Sequence, residues 1–236
     1  MKPVVLIAIN FVREQRWPIL VLLLWVLLLA FLGLVTDIRH ERDDLLFVFN
    51  GIAVYVVAFS IFFGGSAIYN ERRSRRILGV LSKAIGRQQY LSGLVIGVTL
   101  ASAIYCLALG VTGSWTLGEA GFPVAQVWYL MLCLVAACTL AGTVALTCST
   151  FLNPFLAAGA TATVLGVPAL AGRFLGSQWA YVIPVWPLTA KVVESTFDSP
   201  GVASWSPLAL AALETLAFWL LAARIFSYVD IAVAVE

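Results

Sequence analysis

Six continuously apolar runs, 18–36, 45–69, 91–113, 124–149, 154–171 and 207–228, leave this chain few ways to fold. A helix crosses the hydrocarbon core of a bilayer with about 20 mostly apolar residues, and each run is of that order. An outer-membrane barrel would instead alternate apolar and polar residues in segments of about 10. Charged residues make up 11% of the sequence, against about 25% in soluble domains. The reading is an all-α integral membrane protein, a single transmembrane domain over 1–236 with six transmembrane helices. The first run is too long for the core of a signal peptide and has no clear small-x-small cleavage site, so it is expected to be a retained span.

Charge is scarce but unevenly placed. Six of the fourteen Lys and Arg residues fall in "NERRSRRILGVLSKAIGRQQYLSG", residues 70–93, between the second and third runs. With six spans, that segment shares a side with both termini and the 150–153 link, a set that also holds Lys2, Arg13, Arg16 and Arg224. The opposite set holds only Arg39, Arg42, Arg173 and Lys191, beside most of the acids. The positive-inside rule puts both termini and the basic segment in the cytoplasm, at a plasma (inner) membrane.

Contact of these cations with anionic membrane lipid explains the charge, but not the apolar residues among them. On a helical wheel Arg72, Arg76, Lys83 and Arg87 share one sector, and Ile77, Leu78, Leu81 and Ile85 share another. Gly79 and Gly86 are weak helix formers that should break the segment into a short helix flanked by turns. A short amphipathic helix of this kind either lies on the bilayer or docks into a protein groove.

The other links differ in character. Residues 37–44 and 114–123 read as brief external turns, and 150–153 as a tight hairpin closed by Asn153 and Pro154. Residues 172–206 form a long aromatic and proline-rich connection, expected to hold short helices dipping into the outer leaflet. All four cysteines fall inside runs, where buried small residues are expected rather than a disulfide framework.

The stretch "RRILGVLSKAIGRQQYLSG" resembles the element between spans two and three of ABC-2 type transporter permeases. In that pattern Leu81, Ser82, Lys83, Ile85, Arg87, Tyr90, Leu91 and Gly93 stand where expected, with Glu71 as the upstream acid. The N-terminal "IAINFVREQRWPILVLLL" is similar to the family's amphipathic entry helix, and "PVWPLT" to an element before its last span. The sequence departs from the pattern at Leu78, Gly79, Ala84 and Gly86, which bears on the shape of the helix rather than its existence. The resemblance implies that the segment is a coupling helix docking on a separate ATP-binding cassette ATPase subunit. Glu71, Arg75, Leu81, Ser82, Lys83, Ile85 and Arg87 would form that interface, with Leu81 and Ile85 as apolar anchors and the charges as rim. It also implies an assembly of two permease copies, or a related pair, with two ATPase subunits, acting as an exporter. The alternative reading is a non-transporting membrane scaffold or accessory protein whose basic segment is bound to lipid.

Catalytic patterns are missing from the sequence. No Gly-x-x-x-x-Gly-Lys-Ser/Thr element occurs, so the chain is not expected to be an enzyme; ATP and Mg would be bound by the partner, and no cofactor by this chain. Nothing points to nucleic acid. The lone histidine, His40, falls on the opposite side of the membrane from Ser66 of "GGS", which argues against a Ser–His nucleophile and favours helix packing through small residues. A single histidine also argues against haem ligation or a His-based metal site. Glu214 is the one charged residue well inside a run. Its burial costs several kcal/mol unless it is paired or hydrated. Two readings stand: Glu214 lines a translocation path, where it would meet a cationic part of a substrate, or it packs, hydrogen-bonded or protonated, against a neighbouring helix. Asn50, near the outer end of the second run, is expected chiefly to bond between helices, with the path as the other reading.

Overall fold

The computed structural model describes residues 3–35, 42–73, 86–119, 122–198 and 204–228. Among them are eight α-helices and no strand: α1 Pro3–Glu14, α2 Arg16–Val35, α3 Arg42–Arg73, α4 Arg87–Glu119, α5 Val124–Ser149, α6 Pro154–Phe174, α7 Val192–Asp198 and α8 Ser206–Tyr228. Five of these helices contain stretches long and apolar enough to cross a membrane: Val48–Tyr69, Arg87–Trp115, Val124–Ser149, Pro154–Gly172 and Ser206–Tyr228. The architecture is that of an all-α membrane protein. The first expected span falls on α2, a 20-residue helix whose side chains are described as far as Leu28.

Several helices outrun their apolar segments. At 1.5 Å per residue α3, with 32 residues, is about 48 Å long, well beyond a hydrocarbon core of about 30 Å. Good helix formers such as Arg, Glu and Gln carry the backbone past the last apolar residue at little cost. Where a stop signal exists, the helix obeys it. Asn153 caps α6, its Oδ1 accepting from the Leu156 N–H at 2.9 Å, and Pro154 occupies the first turn, as the hairpin reading expects.

The centre of the bundle is α5, which is buried over most of its length and packs against α3, α4, α6 and α8. Helices α3 and α5 run parallel and very close. A Cβ on Gly64 would fall on the Gly142 carbonyl oxygen, and one on Gly142 would lie 2.5 Å from Val98 Cγ1 of α4 and 2.8 Å from Ser60 Oγ. Ser60 in turn donates a hydrogen bond to the Cys138 carbonyl. The "GGS" stretch is therefore a packing element: Gly64 admits α5, and Ser66 donates to the Phe62 carbonyl of its own helix at 2.7 Å. Hydroxyls elsewhere are satisfied the same way, with Thr139, Thr143 and Thr147 each bonding four residues back along α5. An apolar solvent demands this, because no water is present to take the proton.

The long connection after α6 turns back immediately. Gly176 adopts φ 123°, a conformation that glycine takes at small cost, and the 3-10 turn Ser177–Tyr181 lays Ala180 against Gly172. A π-helical turn, Pro187–Lys191, leads into α7, and Val185, Leu188, Val192 and Val193 are buried against the bundle. Short helices thus occupy the connection as expected. The outer faces of α2 and α6 remain apolar and open, with Leu24 70% and Phe155 86% exposed. Open apolar faces of this kind mark contact with membrane lipid or another protein rather than with water. All four cysteines are free thiols.

Candidate functional site

The basic segment is described at its two edges. Glu71 lies in the last turn of α3 and Arg87 opens α4, whereas Arg75, Leu81, Ser82, Lys83 and Ile85 lie outside the described residues. Gly86 is not helical, and Arg87 opens the helix of the third run. Its side chain is committed to α8. Arg87 Nη1 donates to the carbonyl oxygens of Phe226 at 2.8 Å and Ser227 at 2.9 Å, and the guanidinium lies 5.8 Å from the centroid of the Phe226 ring. These carbonyls belong to the last turn of α8, which has no intrahelical donors for them and carries the negative end of the helix dipole. A cation opening α4 therefore ties it to the end of α8.

The residues that follow Arg87 lock the same joint. Tyr90 is fully buried and stacks on Phe226, with ring centroids 6.2 Å apart and planes inclined by 19°. Leu91 and Leu94 are fully buried as well. Gly93 and Gly97 let α1 approach: a Cβ on Gly93 would lie 2.7 Å from Ile7, and one on Gly97 would lie 2.8 Å from Phe11. The amphipathic N-terminal helix is thus docked on the start of α4 through Ala8 and Phe11. The "QQYLSG" stretch has a structural reason at each of Tyr90, Leu91 and Gly93.

One end of the bundle therefore gathers α1, both edges of the basic segment, the α5–α6 turn and the end of α8. This is the grouping that alternating spans require. A cleft of about 630 Å³ opens at this end between the first turn of α4 and the last turns of α8, lined among others by Arg87, Gln88, Gln89, Leu220, Arg224 and Tyr228. In the sequence Arg224 bears only on membrane orientation. Its place in the last turn of an apolar helix was the available signal, but nothing local pairs it with Arg87.

Glu214 lies on the face of α8 turned toward the bundle, in line with Ala211, Phe218 and Ala222, and is half-buried. Its Oε2 is covered and has no hydrogen-bond partner among the described residues. On the same helix, the Phe218 carbonyl lies 3.2 Å from Thr147 Oγ1, which sets the register of α8 against α5. Asn50, half-buried on α3, is far from this level. With Ser60 opposite Cys138 and Phe218 opposite Thr147, Asn50 and Glu214 are offset by about 15 residues, or about 22 Å along the bundle. The structure does not bring these two residues together. Among the described residues, no group of three or more His, Cys, Asp or Glu side chains converges on a metal-sized site.

Comparison with known proteins supplies no relative: no family model, no curated protein and no solved structure matches the chain.

Proposed function

We propose that this chain is the permease subunit of an ATP-driven transporter of the ABC-2 type, an exporter whose ATP is bound and hydrolysed by a separate cassette subunit. The observation that carries the reading is the basic and apolar segment between α3 and α4, followed by a joint in which Arg87 and Tyr90 are fastened to α8 while Gly93 and Gly97 seat α1. A partner that moved this segment would act on a rigid corner of three helices, and α4 would pass the motion to α5 through the close contact at Gly142. In this reading six spans cross the plasma membrane, both termini are cytoplasmic, and two permease copies work with two ATPase subunits. Leu81 and Ile85 are the apolar anchors of the interface; Glu71, Arg75, Ser82 and Lys83 contribute its polar contacts, and Arg87 fixes the segment to the bundle. Glu214 supplies the polar group of the path.

The test is Leu81→Asp and Ile85→Asp. Each variant is expected to insert at wild-type level and to lose the ATPase subunit. Normal association and normal stimulation of ATP hydrolysis in both variants would reject the coupling role and favour a scaffold whose basic segment is held by lipid.

A further inference from the structure

We propose that the cleft between the first turn of α4 and the last turns of α8 holds the headgroup of an anionic glycerophospholipid. The inference rests on α4 and α8 as membrane spans and is independent of transport. Position is the first argument. The cleft lies at the bundle end where both helices leave their apolar stretches, which is the depth of the headgroups.

Chemistry is the second argument. Arg87 of α4 and Arg224 of α8 both line the cleft, Gln88 and Gln89 add amide donors, and no carboxylate is among the described lining residues. Arg87 Nη1 is held by the Phe226 and Ser227 carbonyls, which fixes the guanidinium against the end of α8. The Arg224 guanidinium sits 5.9 Å from the centroid of the Tyr228 ring, held near the cleft without a carboxylate partner among the described residues. A phosphodiester between two guanidinium groups is a chemically matched occupant.

Shape is the third argument. Leu220 forms part of the lining and is 54% exposed, and Leu216 and Leu213 continue an open apolar track along α8 away from the cleft. A ligand filling the site would thus be anionic at one end and carry hydrocarbon along α8. A zwitterionic lipid fits worse, because its ammonium group would meet two cations. Basic pockets between spans are a recurrent means of holding anionic headgroups.

The experiment titrates the detergent-solubilised full chain with dioleoyl phosphatidylglycerol or dioleoyl phosphatidylcholine and counts retained lipid by native mass spectrometry. Phosphatidylglycerol should be retained preferentially, and Arg224→Gln should lower that preference by about fivefold, the usual weight of one cation at an anionic surface. Arg224→Lys should keep most of it. Arg16→Gln, an exposed cation at the same end but outside the cleft, should leave it unchanged. Glycerol 3-phosphate should fail to displace the lipid, since it lacks the chains that lie along α8. Equal retention of the two lipids, an unaffected Arg224→Gln variant or an equal loss in Arg16→Gln would overturn the proposal. Displacement by glycerol 3-phosphate would make the site one for soluble anions and overturn it too.

Discussion

Alanine at Gly64 and alanine at Gly65 should have opposite effects on stability, although the two glycines are neighbours. A methyl group on Gly64 lands on the Gly142 carbonyl oxygen and 3.1 Å from Ala145 Cβ. The obstacle is backbone, so α3 and α5 have to part. Overpacking of a close-packed core costs about 1–3 kcal/mol. Separation also weakens the hydrogen bond from Ser60 to Cys138 one turn away, worth about 1 kcal/mol. The expected loss for Gly64→Ala is therefore about 2–4 kcal/mol. At Gly65 the nearest atom to a new methyl is the Pro154 carbonyl oxygen at 3.7 Å, an ordinary contact. Only the helix preference changes there, and it favours alanine by up to about 1 kcal/mol. Equilibrium unfolding in mixed micelles of mild detergent and dodecyl sulfate, followed by tryptophan fluorescence, measures both. Equal shifts for the two variants, or wild-type stability in Gly64→Ala, would refute the packing argument.

Arg87→Gln removes a charged donor from the last carbonyls of α8 and should cost about 2 kcal/mol, since hydrogen bonds to charged groups are worth about 1.5–3 kcal/mol and the Ser227 carbonyl is partly screened by solvent. The same unfolding assay reads the loss, and an unchanged midpoint would mean the joint is held by Tyr90 and Phe226 alone. Glu214→Gln keeps size and hydrogen-bonding capacity while removing the ionisable group. It should alter transport-linked ATPase activity with assembly intact, and unchanged transport and ATPase stimulation would make Glu214 a packing residue.

Local signals were the legible part of this chain. Apolar length located the long helices, and the α5 limits, Val124–Ser149, coincide with the expected run. Asn153 and Pro154 marked the start of α6 because a cap and a first-turn proline act within one turn. Helix ends beyond the apolar runs were less legible: α3 reaches Arg73 and α4 begins at Arg87, since Arg, Glu and Gln neither bury nor break a helix. Pairings across the fold left no local trace at all. Arg87 meets carbonyls 139 and 140 residues away, and Gly64 packs on Gly142 while Gly51 and Gly159 face open space. Sequence gives each of these glycines the same status; only the crossing of α3 and α5 separates them. Arg224 carries no local mark either, because its place beside Arg87 at the cleft arises only from the packing of α4 against α8.

The composition of the assembly decides between permease and scaffold. The tagged chain would be extracted from its native membrane in mild detergent, crosslinked and quantified subunit by subunit in the presence of a photoreactive ATP analogue. The account predicts one nucleotide-binding subunit per copy of this chain, labelled by the analogue and crosslinked to residues between Glu71 and Arg87. A stable assembly that contains this chain and no nucleotide-binding subunit would contradict it.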